Sequence, residues 1–362
     1  MLRGPRPLAL YLATAARLDA ASEQQPGTAL SGFIDGIKAY WRQPRHVPSL
    51  SGQAIWQSGA ARLRASGPMH GRPVLLVPSL INRAHVLDLL PERSLVRMLA
   101  AAGHRAMLLD WGEPGPMELG FGIADHLARH LEPALDVAAE ASGQRPVVLG
   151  YCMGGLLALA LASRAAERIA GLALLATPWD FAAAAEQQPL PPPVAATMLA
   201  STVATYGHVP ANMLDWSFAT IHPEQVVAKY AAFGRADPGA VRSRVFVAIE
   251  DWLADGIALA GPLACECLTD WYLANRPAAG IWRVDGRYVR PETLDLPAFV
   301  AVPDRDRIVP QAAALPLARL LPRATAVRPA TGHVGMIVGD RAPEQLWQPL
   351  LRWLDRIDRA TV

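Results

Sequence analysis

Gly150-Tyr151-Cys152-Met153-Gly154-Gly155 sets a thiol between glycines, directly after the apolar run Pro146 to Leu149 and before an apolar helical stretch through Ala165. A nucleophile on a tight strand-to-helix turn projects above a sheet, and its flanks must be small because neighbouring backbones approach closely there. Two consequences favour chemistry. The Met153 backbone N–H can donate to an oxyanion, and a helix N-terminus favours the reactive thiolate. A second donor is expected from the loop after the first sheet strand, Ser79-Leu80-Ile81-Asn82, at Leu80 or Ile81. The plain alternative is a buried structural cysteine in a tight turn; the strand before it and the helix after it weigh against that.

A nucleophilic thiol needs a base, and the base needs an orienting acid. Downstream of Cys152 the histidines are His208, His222 and His333. The first two fall in an aromatic-rich stretch. His333 sits in Thr331-Gly332-His333-Val334-Gly335, a glycine-flanked loop after the last apolar strand segment. Asp304 and Asp306 both follow the strand Phe299 to Val302, and either could orient an imidazole. The aspartate would hold the tautomer and stabilise imidazolium, while His333 takes protons from the thiol or an incoming hydroxyl. His126 and His130, four apart on a helix, lack any H-E-x-x-H or CxxC companion and read as helix-face residues. Cys265 and Cys267 read as packing. No metal or resident cofactor is expected, and neither dinucleotide-binding nor P-loop glycines occur.

The elements that must position these residues follow from rhythm. Val74 to Val77, Ala106 to Leu109, Pro146 to Leu149, Leu172 to Leu175 and Ala298 to Val302 are short apolar runs, expected as buried strands. Helices are expected at Ser94 to Ala102, about Ile123 to Ala141, through Ala165, near Ala312 to Leu321 and from about Ala342 to Arg359. This alternation predicts an α/β fold, a mostly parallel central sheet with helices on both faces. Residues 1–70 read as a helical then irregular N-terminal segment, and Met1 to Leu18 as an amphipathic helix rather than a cleaved signal. The core is expected in 71–181 and 286–362. Residues 182–285, with the triple proline Pro191 to Pro193 and many aromatics, read as a mainly helical cap over the sheet's carboxyl edge.

Composition narrows the classes. The 362 residues are 52% hydrophobic and 18% charged, enough for a large core. Lys and Arg total 34 against 32 Asp and Glu, a net +2, which argues against a nucleic-acid partner. Three cysteines, an odd number, point to a reducing, cytoplasmic setting. No apolar stretch reaches the roughly 18 residues that span a bilayer.

These residues resemble the polyhydroxyalkanoate synthase family of the α/β-hydrolase superfamily. The resemblance is carried by Asn82 to Asp88 and Leu89-Leu90-Pro91-Glu92-Arg93-Ser94-Leu95-Val96-Arg97, and by Asp110-Trp111-Gly112. It continues through the cysteine elbow, Thr177-Pro178-Trp179-Asp180-Phe181, Glu250-Asp251-Trp252-Leu253 and Gly332-His333-Val334-Gly335. It runs in order from about residue 70 to 355. Asp306-Arg307-Ile308-Val309-Pro310 is similar to the Asp-x-x-Val-Pro acid turn of many α/β-hydrolases, which favours Asp306 over Asp304. The resemblance implies Cys152 as acylated nucleophile, Asp306 as acid and His333 as base. It implies an (R)-3-hydroxyacyl-coenzyme A substrate, coenzyme A as released product and a growing polyester chain. It further implies a second copy or a separate synthase subunit as partner, and a granule surface. The length matches the short class of the family, while Tyr151 and Glu250-Asp251-Trp252 are closer to the longer class. The elbow also resembles dienelactone hydrolases, which are shorter and lack the cap, so a thioesterase, esterase or polyester depolymerase using the same triad is the alternative.

Overall fold

The computed structural model describes residues 4–22, 27–45, 48–185 and 192–359. Met1 to Arg3 and Pro191 therefore lie outside the described residues. The chain divides into two compact units, one of residues 1–48 and 210–256, the other of 49–209 and 257–362. Residues 182–285 contribute to both.

The larger unit is built on continuous apolar segments. Eight strands form one sheet: β1 Gln53–Ser58, β2 Ala61–Ser66, β3 Pro73–Val77, β4 Arg105–Asp110, β5 Val147–Tyr151, β6 Gly171–Leu175, β7 Ala298–Ala301 and β8 Ala324–Val327. Their spatial order is β1-β2-β4-β3-β5-β6-β7-β8. From β4 to β8 all neighbours are parallel. Strands β3, β5, β6 and β7 are buried at every position, as strands covered on both faces must be. Order reverses between β4-β3 and β3-β5, so β5 lies at the centre and its carboxyl end faces the crevice where open α/β sheets bind ligands.

Residues 53–66, read above as irregular, form the antiparallel hairpin β1–β2, and β2 pairs antiparallel with β4. Hydrophobic and polar residues alternate in Ala61-Arg62-Leu63-Arg64-Ala65, with Ala61, Leu63 and Ala65 buried. That period-two pattern belongs to an edge hairpin. Gly52, Gly59 and Gly67 bracket the strands at φ 79°, 56° and 89°, a region that favours glycine.

The helices expected along the sheet are present as Leu95–Ala101, Ile123–Glu140, Met153–Ala165, Gln311–Leu320 and Gln348–Arg359, the second through a π-helical turn at Leu127–Leu131. Ser94 caps the first of these, its Oγ accepting from Arg97 N–H at 2.9 Å. The same hydroxyl donates to buried Asp88 at 2.6 Å, and Asp88 also accepts from Ser51 Oγ at 3.0 Å. Asp88 and Ser94 thus form a buried polar knot in the crossover from β3.

The smaller unit packs helices Leu8–Ala20 and Thr28–Arg42 with Ala211–Ala219, Pro223–Phe233 and Val241–Leu253. The Asp19 carboxylate accepts from Ala29 N–H at 2.8 Å and Leu30 N–H at 3.0 Å, satisfying the exposed amide end of the second helix. Tyr11, Phe33, Ile37, Tyr40, Val227, Tyr230 and Val247 make its core. Among the described residues no helix is long and apolar enough to cross a membrane.

Candidate active site

The larger unit brings the three expected residues to one end of the sheet. Cys152 follows β5 and is the N-cap of helix Met153–Ala165, at φ 55° and ψ −125°. A non-glycine residue held at positive φ persists only where its surroundings enforce it. They do. Cys152 N–H donates to Leu175 O of β6 at 2.8 Å, and Gly155 N–H donates to Cys152 O at 2.9 Å. Gly154 lies against the carbonyls of Val77 and Pro78 at the end of β3, and Gly155 against the Thr177 side chain, so neither position has room for a Cβ. Gly155→Ala is expected to cost about 1–3 kcal/mol through overpacking against buried Thr177, measured by denaturant unfolding.

His333 and Asp306 arrive on loops sewn together. Asp304 N–H donates to Pro329 O at 2.8 Å and Arg305 N–H to Thr331 O at 3.0 Å, joining the turn after β7 to the loop after β8. His333 Nδ1 and Asp306 Oδ2 are 2.6 Å apart and buried. The other carboxylate oxygen accepts from Ile308 N–H and Val309 N–H, each at 2.9 Å. The Asp-x-x-Val-Pro turn therefore folds its backbone amides onto its own aspartate and aims the remaining oxygen at the imidazole. Asp304 is exposed and instead pairs with Arg328 at 2.9 Å and Gln311 at 3.2 Å. Cys152 is close enough to the imidazole to influence its protonation. Tyr151, buried under the same loop, donates its hydroxyl to His333 O at 3.4 Å, its ring centroid 5.0 Å from the imidazole.

Burial pulls the His333 pKa down. The charges of Asp306 and Cys152 and the hydrogen bond to Asp306 outweigh it, raising the imidazole from 6.5 to about 10. A folded value above the unfolded one stabilises the fold fully below about 6.5, and that contribution is lost as pH rises through about 10. The thermal midpoint is expected to fall across this interval, and to fall less steeply in Asp306→Asn, as differential scanning calorimetry would record.

Met153 is the first residue of its helix, where the N–H has no intrahelical acceptor. Leu80 is buried in the loop after β3, while Ile81 N–H donates to Ser79 Oγ at 3.4 Å and Ile81 O accepts from Ile257 N–H at 3.2 Å. Trp111 Nε1 donates to Pro78 O at 3.1 Å, tying the Asp110-Trp111-Gly112 turn to the base of this loop. His208 is in a short strand paired with Leu259–Ala260, and His222, in the smaller unit, lies 3.2 Å from Glu224.

A strained cysteine after the fifth strand, a buried Asp–His pair after the seventh and eighth, and this strand order are one architecture. The alpha/beta hydrolase fold family matches residues 72–340. The chain belongs to the alpha/beta hydrolase fold family. Among solved structures of that fold, the monoacylglycerol lipase of Paleococcus ferrophilus superposes with a TM-score of 0.53 at 17% identity, covering 82% of this chain and 99% of that one. Two curated relatives are named poly(3-hydroxyalkanoate) polymerase subunit PhaC. The protein of Haloarcula marismortui is 32% identical over 78% of this chain and 60% of its own length, and that of Haloferax mediterranei 32% over 78% and 58%. The resemblance seen in the motifs therefore extends along most of the chain, which spans about 60% of these relatives.

Sequence reasoning passed over one feature of this hydrolase-fold site and one aromatic cluster in the same unit. Thr177 buttresses the elbow through Gly155, although its motif was visible. The aromatic cluster in which Tyr272 packs edge-on against Phe181, and Phe181 stacks on Trp271, is carried by the π-helical stretch Cys267–Leu273, and a π-helix leaves no periodic signature.

Proposed function

We propose that this chain is an acyltransferase that polymerises (R)-3-hydroxyacyl-coenzyme A into polyhydroxyalkanoate through an acyl-Cys152 intermediate. The observation that carries the reading is a cysteine on the strained elbow, within electrostatic influence of a buried His333 whose Nδ1 meets Asp306. The names of the similar polymerase subunits support the substrate class.

Cys152 Sγ attacks the thioester carbonyl, and the oxyanion takes hydrogen bonds from Met153 N–H and Leu80 N–H. Leu80 is favoured over Ile81 because the Ile81 N–H is already directed at Ser79. The carbon–sulfur bond to coenzyme A breaks, and His333 gives its proton to the departing thiolate. The terminal hydroxyl of the growing chain then attacks acyl-Cys152. His333 accepts that proton, the new ester forms, and Cys152 sulfur is released. Exchange between two thioesters is nearly even in energy, and ester formation from a thioester runs downhill. A serine nucleophile would surrender that activation at the first step. This route uses no resident cofactor, since coenzyme A enters with the substrate. A second copy or separate subunit as partner, and a cytoplasmic place at the surface of a polyester granule, belong to the same proposal.

Purified full-length chain given 3-hydroxybutyryl-coenzyme A is expected to release free thiol and deposit insoluble polyester. Free thiol accompanied by soluble 3-hydroxybutyrate alone would assign the same three residues to a thioesterase instead.

A further inference from the structure

The proposed chemistry leaves one buried polar pair unused. His126 immediately precedes the π-turn Leu127–Leu131 and His130 lies within it; they are 5% and 1% exposed. Their rings contact Trp111 and Phe121 at centroid separations of 5.5 to 6.1 Å. Both ring nitrogens of His130 and Nδ1 of His126 are buried with no protein hydrogen-bond partner. Burial and the neighbouring His130 hold His126 down to about 3, and burial lowers His130 as well, so both rings are neutral near pH 7. A neutral imidazole carries one N–H and one lone pair, and leaving either unpaired in an interior is costly. Among the described residues no cluster of three His, Cys, Asp or Glu could hold a metal ion, so the pair lacks the ligands of a metal site.

The two histidines line a cavity of about 20 Å³, room for one water, together with Leu80, Trp111, Glu118 and Leu263. This cavity backs onto the active-site end of β3. Leu80 belongs to the loop that faces the elbow, and Trp111 holds Pro78 O, which abuts Gly154. We propose that the cavity is a water site in which one water bridges His126 and His130, and that the bridged pair positions Trp111 and the Ser79-Leu80-Ile81 loop for oxyanion binding. The complementarity is direct: a water donates to the lone pair of one ring and accepts the N–H of the other. His126 and His130 are positioning residues, two steps removed from the reacting atoms. The kinetic half of this inference rests on the acyl-Cys152 reading; the water site does not.

Two measurements on the full chain test it. A high-resolution crystal structure is expected to show an ordered water within hydrogen-bonding distance of both rings; a dry cavity overturns the proposal. The double variant His126→Phe/His130→Phe removes the orphaned nitrogens and fills the space. Its thermal midpoint is expected to equal or exceed that of the wild type, while acylation of Cys152 by p-nitrophenyl butyrate slows by about 10-fold to 100-fold at unchanged KM. Acylation reads the oxyanion loop whether polyester or free acid is the final product, so this result is separate from the polymer assay. Wild-type acylation rates in the double variant would overturn the positioning role, as would parallel loss of midpoint and rate, which a merely structural pair would give. If the wild type itself is not acylated, the acyl-cysteine reading falls, and the crystal structure alone decides the water site.

Discussion

Cys152→Ala is expected to lose turnover of 3-hydroxybutyryl-coenzyme A by about 10⁴-fold or more, because nothing else at the elbow can hold the acyl group. Intact-mass spectrometry should show an acyl adduct on the wild type and none on the variant. Folding should be nearly unaffected, since alanine preserves the N-cap backbone and the Cys152 N–H bond to Leu175 O. Cys152→Ser is the informative companion. It should accept an acyl group slowly and then retain it, because an oxygen ester gives up the activation that drives attack by the next hydroxyl. A Cys152→Ala protein with wild-type turnover would eliminate the covalent route.

The second large effect is expected at Asp306. Asp306→Asn keeps an oxygen for the amides of Ile308 and Val309 but removes the negative charge facing His333 Nδ1. An amide there can hold the ring in the wrong tautomer, and loss of about 10⁴-fold in kcat is expected, as seen when an orienting aspartate is neutralised in serine proteases. The sign of the pH effect follows from the cause. The Asp306 charge is the largest influence raising His333, so its removal lowers the imidazole pKa, and the alkaline limb of the pH–rate profile moves to lower pH. A loss smaller than tenfold with an unmoved limb would transfer the orienting role away from Asp306. Asp304→Asn, by contrast, should change little, because its partners are exposed Arg328 and Gln311.

The parallel centre of the sheet was legible because strands covered on both faces leave uninterrupted apolar runs. Val74-Leu75-Leu76-Val77 and Leu172 to Leu175 are of that kind, and both are strands within a residue or two of the expected limits. The β1–β2 hairpin was not legible for the opposite reason. Its arginines Arg62 and Arg64 interrupt the apolar pattern, and glycines that turn the chain at positive φ look, in sequence, like loop punctuation. Strand β8, Ala324-Thr325-Ala326-Val327, has small side chains at the sheet edge and carried no run to detect. In the site, Cys152 and His333 could be named because the elbow and the glycine-flanked loop constrain backbone as well as chemistry. The choice between Asp304 and Asp306 depends on which carboxylate its own turn desolvates, and only coordinates display those amide bonds. His126 and His130 were expected on a helix face. They lie on a helix, yet the π-turn and the packing of Trp111 and Phe121 bury them, which periodicity alone could not indicate.

Tyr151 and His333 touch across 182 residues of chain. A ribosome adding roughly 5–20 residues each second therefore makes the sulfur roughly ten to forty seconds before its base exists. Throughout that time the nascent polypeptide carries the elbow thiol without the imidazole proposed to activate it. On the proposed chemistry, a product terminated inside that interval would hold the sulfur and lack the group that activates it.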